Sequence, residues 1–206
     1  MTVEPVVYVL DDEPDMLKAL TRLLRAQGFR AQGFTSARAF LAHERQAGPA
    51  CLLLDVAMPE IDGLQVQERL RESGAELPIV FLTGHGDIPM SVCALKAGAE
   101  DFLTKPVNAA DLLRAVKGAL QRASDQQVER EEMAALQRRL ASLTPREREV
   151  LGHVIAGKMN KQIAADLGTG EQNVKVHRGR LMRKMGARSV AELVRMAERL
   201  GIPPSG

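Results

Sequence analysis

Carboxylates follow two short apolar runs in the first half of the chain, and they are the residues best suited to chemistry. Asp11 and Asp12 come directly after Val6–Leu10, and Asp55 follows the apolar run that begins at Cys51. Three carboxylates brought together would repel one another, so a hard divalent cation such as Mg²⁺ is expected among them.

Two further polar residues come at the ends of later apolar runs. Thr83 follows residues 79–82, and Lys105 comes soon after residues 101–103. A lysine and a hydroxyl beside carboxylates can neutralise a phosphoryl group carried on one aspartate, which suits in-line phosphoryl transfer. Each residue taken singly is common at a turn, so it is the whole set, at four strand ends, that indicates this chemistry.

The elements that must position these residues alternate along the first 120 residues. Strands are predicted at 6–10, 30–34, 51–54, 79–82 and 101–103, and helices at 14–27, 36–46, 62–72, 87–97 and 108–120. Five strand–helix repeats predict an α/β fold, a doubly wound five-stranded parallel sheet with helices on both faces. The carboxyl ends of its strands would meet in one crevice.

The strand pattern ends near residue 121. An apolar seam then predicts a helical linker, which either packs on its own domain or pairs with a second copy as a short coiled coil; the seam is Met133, Leu136, Leu140 and Leu143. Thr144 and Glu147 form a capping box that opens a smaller all-α domain. The predicted domains are therefore 1–121, a linker at 122–142, and 143–206.

Charge divides the chain in the same way. The net charge of +2 combines −4 over residues 1–120 with +6 over residues 144–206, which indicates a polyanionic partner for the second part.

No apolar run approaches the roughly 18 residues of a membrane span. Cys51 and Cys93 lack metal-binding spacing, so free thiols in a reducing cytoplasm are expected.

The basic part contains a predicted helix–turn–helix, with helices at 160–167 and 171–185. The second helix buries Val174, Leu181 and Met185 on one face with His177, and the rest of its surface fits the major groove of duplex DNA. His177 is interpreted as packed or phosphate-contacting rather than metal-binding. The candidate DNA contacts are Lys161, Gln172, Lys175, Val176, Arg178, Gly179, Arg180 and Arg183.

Residues 4 to about 120 resemble the flavodoxin-like receiver domains of bacterial response regulators. The motifs are Val9-Leu10-Asp11-Asp12, Leu54-Asp55-Val56-Ala57-Met58-Pro59 with Gly63, Leu82-Thr83-Gly84, and Phe102-Leu103-Thr104-Lys105-Pro106. Residues 84–90 resemble the FixJ-like branch. The resemblance implies that Asp55 is the phosphoacceptor, that Asp11, Asp12, Asp55 and the Ala57 carbonyl bind Mg²⁺, that Thr83 and Phe102 switch, and that Lys105 binds the phosphoryl group.

By the same resemblance, His85 lies near the path of the hydrolytic water. We hypothesise that Ala57 and His85 influence the lifetime of the phosphoryl group.

Residues 143–200 resemble the LuxR/FixJ-type DNA-binding domain. The resemblance rests on residues 143–151, on Asn160-Lys161-Gln162-Ile163-Ala164 and on Val174-Lys175-Val176-His177. It implies major-groove binding by the 171–185 helix, with Lys175 and Val176 nearest the bases. Thr169-Gly170 and Gly179 depart from the family pattern, and Gly179 weakens the helix by about 0.5–1 kcal/mol relative to Ala.

Together these features predict a phosphorylation-dependent transcriptional regulator of the FixJ/NarL type, located in the cytoplasm. A sensor histidine kinase would phosphorylate Asp55, and the surface formed by 87–97 and 101–104 would then dimerise or release the DNA-binding domain. Promoter DNA, RNA polymerase and a second copy are the expected partners.

Two other functions share part of this pattern. One is a phosphorylation-independent regulator that uses the receiver only to dimerise. The other is an aspartyl-phosphate enzyme, which is disfavoured because Ala57 stands where a general acid would be needed. We therefore expect no catalysis beyond the receiver's own phosphoryl transfer and dephosphorylation.

Overall fold

The computed structural model describes residues 4–84 and 98–205. The predicted helix at 87–97, His85 and Cys93 lie outside the described residues. The chain divides into two compact units, Met1–Gln127 and Val128–Gly206, and each is described by itself.

The first unit is built on a five-stranded parallel sheet with the strand order β2-β1-β3-β4-β5. The predicted doubly wound sheet is confirmed. The three central strands are buried almost throughout, as expected for apolar runs covered on both faces. The strands are β1 (Val6–Leu10), β2 (Arg30–Phe34), β3 (Ala50–Asp55), β4 (Ile79–Thr83) and β5 (Asp101–Thr104).

Helices cover both faces of the sheet because successive strand residues point to opposite sides. Val7 and Val9 of β1 pack with α1 (Pro14–Ala26) and with the first part of α4 (Ala109–Ala141). Tyr8 and Leu10 point the other way and pack with α2 (Ala37–Ala42) and α3 (Gly63–Glu72). The core of the first unit therefore has two layers, one on each side of the sheet.

Helix α2 is shorter than the predicted 36–46. It ends at Ala42, and His43 has an extended backbone with ψ 128°. The ring of His43 packs against those of Phe34 and Tyr8, with centroid distances of 5.1 and 5.9 Å. This aromatic packing outweighs the local helical pattern.

Helix α4 is continuous over 33 residues, about 50 Å at 1.5 Å per residue. It covers the predicted helix at 108–120 except for its first residue, and the predicted linker at 122–142 except for its last. Leu136 and Leu143 of the apolar seam are buried, and Leu140 packs on the core of the second unit. Leu140 and Leu143 of the seam therefore pack on their own domain. No helix among the described residues is both long and apolar enough to span a membrane.

The second unit is helical, as predicted. Thr144 and Glu147 form the expected capping box at the start of the first of its four short helices. Gly157, Gly168 and Gly186 follow the first three of these helices and adopt positive φ. These helices are α5 (Pro145–Ile155), α6 (Asn160–Asp166), α7 (Glu171–Met185) and α8 (Val190–Arg199).

Candidate functional site

The strand register brings the predicted carboxylates together. Leu10 of β1 pairs with Leu54 of β3, so Asp11 and Asp55 come next on neighbouring strands. Thr83 closes β4 on the other side of β3. Because the carboxyl ends of parallel strands lie at one edge of the sheet, side chains as far apart in sequence as Asp11 and Thr83 share one site.

Lys105 joins the two buried carboxylates. Its Nζ donates hydrogen bonds to Asp11 Oδ2 and to Asp55 Oδ2, both at 2.9 Å. Asp11 is fully buried and Asp55 is 3% exposed, while the lysine side chain is 12% exposed. The more exposed Glu13 carboxylate lies 3.8 Å from the same Nζ. One ammonium group therefore offsets part of the repulsion between two carboxylates.

The pKa of Lys105 reports this balance. Burial alone would lower it, because desolvation disfavours the charged form. The hydrogen bonds and charges of Asp55 and Asp11 act in the opposite direction and prevail, so the pKa lies above its ordinary value. Lys105 is thus held as a cation throughout the physiological pH range.

Asp12 completes an oxygen-rich cluster at the sheet edge. One oxygen from each of Asp11, Asp12 and Asp55 lies within 4.8 Å of the others, which is close enough to share a cation. The Ala57 N–H donates to Asp55 Oδ1 at 3.3 Å and helps to orient that carboxylate. The donor set is all carboxylate oxygen, which fits a hard cation such as Mg²⁺.

Gly63 supports the loop that leads away from Asp55. A Cβ at this position would lie 2.5 Å from the Asp55 carbonyl oxygen and 3.0 Å from Val56 Cα. Its N–H donates to the Val56 carbonyl at 3.0 Å. Only glycine allows α3 to begin this close to the end of β3.

The two predicted switch residues lie on neighbouring strands. Thr83 is buried at the end of β4, and its carbonyl accepts the Lys105 N–H at 2.6 Å. Phe102 is half-buried on the edge strand β5, with its ring centroid 6.2 Å from that of Phe81. His85 and the remainder of the segment 85–97 lie outside the described residues.

The predicted DNA contacts form an exposed surface on the second unit, with one difference. Val174, Leu181 and Met185 are buried as expected, and the Nδ1 atom of the half-buried His177 is buried with no hydrogen-bond partner among residues 4–84 and 98–205. Arg178 is only half-buried and donates to Asn160 Oδ1 at 2.9 Å. The other predicted contacts are exposed: Lys161, Gln172, Lys175, Val176, Gly179, Arg180 and Arg183.

Sequence reasoning missed two partners within this unit. Asn160 binds Arg178 from a position 18 residues away, and the buried Glu147 accepts from Lys184 at 2.7 Å. A charge count groups Lys184 with the basic helix surface, whereas the structure places it in an ion pair with α5. The spacing of Glu147 from Thr144 signalled a capping box but not this long-range pair.

Comparison with known proteins gives the family. Residues 7–117 match the response regulator receiver domain, and residues 141–197 match the domain of bacterial regulatory proteins of the luxR family. The chain belongs to the response regulators. Its second domain is of the LuxR type, so the chain combines a phosphorylation-controlled receiver family with a DNA-binding family.

Relatives resemble this response regulator over nearly its whole length. It is 48% identical over 197 residues to response regulator protein TmoT of Ectopseudomonas mendocina, covering 96% of this chain and 90% of TmoT. The structure of response regulator StyR matches with a TM-score of 0.87 and 44% identity, covering 96% of this chain and all of StyR. Full-length FixJ from B. japonicum matches with a TM-score of 0.58 and 37% identity, covering 98% of each chain.

These comparisons confirm the FixJ/NarL-type family and its general function. The chain is a transcriptional response regulator, and phosphorylation-dependent regulation is the norm of its family. A receiver implies a sensor kinase as partner, and the LuxR-type domain implies DNA binding. Receiver domains generally bind Mg²⁺ at an acidic pocket, which corresponds here to the aspartate cluster.

Proposed function

We propose that Asp55 accepts a phosphoryl group from a sensor histidine kinase and that this modification controls promoter binding by the second domain. The supporting observation is the pair of hydrogen bonds from Lys105 to Asp55 and Asp11. The carboxylate of Asp55 provides an oxygen that can accept the phosphoryl group. The ammonium group of Lys105, held by Asp55 and Asp11, provides a positive charge for the phosphoryl oxygens.

The proposed Mg²⁺ ligands are Asp11, Asp12, Asp55 and the carbonyl of Ala57. Their oxygen-only chemistry and the clustering of the three carboxylates support this assignment. When bound, the cation would neutralise charge on the phosphoryl oxygens.

The chain's own residues carry the transfer. An oxygen of Asp55 bonds to phosphorus while the bond between phosphorus and the nitrogen of the donor histidine breaks. Lys105 Nζ and the Thr83 hydroxyl each donate to a phosphoryl oxygen, which spreads the charge that develops during in-line transfer. Self-dephosphorylation is the attack of water on phosphorus, which breaks the bond to Asp55 and releases inorganic phosphate.

Ala57 and His85 belong to the same proposal as residues that influence the lifetime of the phosphoryl group. A double substitution of both residues should change the rate at which phosphorylated chain loses its phosphoryl group. An unchanged rate would refute their role.

The proposed output begins with rearrangement of Thr83 and Phe102. Phe102 is half-buried on the edge strand β5, so its ring is partly open to solvent and would become more buried by turning inward. The rearrangement would change the surface that includes β5, so that the receiver dimerises or releases the DNA-binding domain. A bias of a few kcal/mol is enough to move most molecules between two states.

The proposed DNA interface is the exposed surface of α7 with Lys161 of α6. Gln172, Lys175, Val176 and Gly179 would face base edges, and Lys161, Arg180 and Arg183 would neutralise phosphates.

Recruitment of RNA polymerase and a cytoplasmic location are parts of the same proposal, because promoter DNA is the expected ligand. The domain boundaries 1–121, 122–142 and 143–206 are proposed with it.

The test is chemical and uses the full chain. Incubation with an acyl phosphate and Mg²⁺ should add one phosphoryl group, and peptide mass analysis should locate it on Asp55. The Asp55→Ala variant should gain none, whereas Asp15→Ala, which removes an exposed carboxylate of α1, should match the parent chain. A parent chain that remains unmodified would refute the acceptor role and favour the phosphorylation-independent regulator.

A further inference from the structure

Arg178 does not lie on the groove-facing surface of α7. At 100° per residue, Gln172, Val176, Gly179 and Arg183 form one stripe along this helix. Arg178 lies about 130° from the middle of that stripe, next to the buried Val174 and Leu181. A helix that presents the stripe to a DNA groove therefore directs Arg178 toward its own domain.

The hydrogen bond of Arg178 agrees with that direction. Its Nη1 donates to Asn160 Oδ1 at 2.9 Å, and both side chains are half-buried. In contrast, Lys175, Arg180 and Arg183 are exposed, and the side chains of these three residues make no hydrogen bond or ion pair within the described part of the chain. These three cations remain available to DNA phosphates, while Arg178 already has a protein partner.

The bond to Asn160 closes the open side of the helix–turn–helix. The turn at 167–170 joins the end of α6 to the start of α7, whereas Asn160 is the first residue of α6. Helix α6 is about 10 Å long, so a 10° change in its angle to α7 would move its first turn by about 2 Å. With the bond in place, α6 is tied to α7 at both of its ends.

The first turn of α6 carries a proposed phosphate contact. Lys161 directly follows Asn160 and is exposed. Contacts to phosphates set the register of a protein on the duplex, so they depend on the relative placement of the elements that carry them. A displacement of about 2 Å is several times the roughly 0.5 Å range of hydrogen-bond distances, so the Lys161 side chain would have to change conformation to keep its phosphate contact.

We propose that Arg178 is a positioning residue of the DNA interface and not a phosphate contact. Through Asn160 it holds the first turn of α6, and with it Lys161, in register with the stripe of α7. This inference rests on the proposed DNA binding by the second domain. It also assigns Asn160, an uncharged residue, a part in DNA affinity.

Salt dependence separates the two roles. A residue that neutralises one phosphate contributes about 0.9 to the slope of log affinity against log salt concentration, and its loss lowers the slope by about that amount. A positioning residue changes affinity while the slope stays nearly constant. The experiment measures binding of the full chain, with acyl phosphate and Mg²⁺, to a duplex that the parent chain selects from a random-sequence pool.

The variants are Arg178→Ala, Asn160→Ala, the double variant, and Arg183→Ala as the matched phosphate-contact control. We expect Arg178→Ala and Asn160→Ala to weaken binding about 10-fold each with an unchanged slope, and the double variant to match the singles. Arg183→Ala should lower the slope by about 1. Binding is measured at a temperature where circular dichroism shows every variant to be folded.

Two results would overturn the inference. One is a slope lowered by about 1 in Arg178→Ala together with parent-like binding by Asn160→Ala, which would make Arg178 a phosphate contact. The other is parent-like affinity in both single variants. If instead the parent chain selects no duplex at all, the proposed DNA-binding function fails, and the role of Arg178 in a DNA interface fails with it.

Discussion

Glu147 stabilises the fold of the second unit through an ion pair with Lys184, a basic residue of the proposed DNA-binding helix. Its carboxylate accepts from Lys184 Nζ at 2.7 Å and from the Thr144 N–H at 2.8 Å while almost fully buried. These bonds, the one from Lys184 first, lower the pKa of Glu147 from 4.5 to about 2. The ion pair fastens α7 to α5, so Lys184 is assigned to stability rather than to DNA.

This pKa gives a signed prediction for stability. The carboxyl group is more acidic in the folded chain than in the unfolded chain, so its contribution is complete above about pH 4.5 and disappears as the pH falls toward 2. We expect Glu147→Gln to lower the free energy of unfolding by about 2 kcal/mol at neutral pH. The effect is smaller than for a fully buried ion pair because the Lys184 side chain is partly exposed to solvent. Urea unfolding of the full chain over a pH series measures this.

The exposed neighbour Glu149 supplies the matched control. It pairs with Arg146 at 2.7 Å on the surface, so Glu149→Gln should change stability by less than about 0.5 kcal/mol. A gap between Glu147→Gln and the parent chain that stays constant from neutral pH down to pH 3 would contradict the assignment.

Cys51 gives a second prediction at this scale. It is fully buried in β3, and burial raises the pKa of its thiol to about 12. Because the thiolate is the reactive form, we expect Cys51 in a Cys93→Ser background to react at least 100-fold more slowly with a thiol reagent when folded than in urea. Similar rates in both conditions would show that this strand is not closed to solvent.

At the level of elements, replacing glycine by alanine is expected to have opposite effects on stability at different positions. A Cβ on Gly63 would collide with the backbone at the end of β3, whereas Gly118 and Gly179 have open space around them in α4 and α7. We expect Gly63→Ala to cost about 2 kcal/mol and to slow phosphorylation, because the loop after Asp55 must move. Gly118→Ala and Gly179→Ala should each stabilise the chain by about 0.5–1 kcal/mol.

Thermal unfolding and the rate of modification by acyl phosphate measure these effects. The two helical variants control for the loss of glycine as such. Gly63→Ala with unchanged stability and rate would mean that the close approach of α3 to Asp55 is not required.

The elements also show which features a sequence reveals. The three central strands follow from apolar runs, β2 and β5 from their places in the strand–helix alternation, and the site residues at strand ends from parallel topology. The end of α2 could not be predicted, because it depends on packing of His43 against Phe34 and Tyr8 from other elements. For Arg178, the spacing of residues along the helix is enough to place its side chain away from the groove-facing stripe. Its hydrogen bond to Asn160 could not be predicted from the sequence, because it depends on how α6 packs across α7.

At the level of the whole molecule, the chain joins a response regulator receiver domain to a LuxR-type DNA-binding domain. This combination is typical of the family, and in the proposed function Asp55, which accepts a hydrogen bond from Lys105, is the residue through which the first domain controls the second. Phosphorylation has to favour the DNA-binding state by only a few kcal/mol to change promoter occupancy strongly. Dimerisation and domain release are both compatible with this requirement.

The most direct measurement is the DNA affinity of the full chain, with and without acyl phosphate and Mg²⁺, for the parent and for Asp55→Ala. We expect the phosphodonor to raise the affinity of the parent chain about 10-fold or more and to leave that of Asp55→Ala unchanged. An equal response of both proteins, or no response of a parent chain that carries the phosphoryl group, would contradict the account.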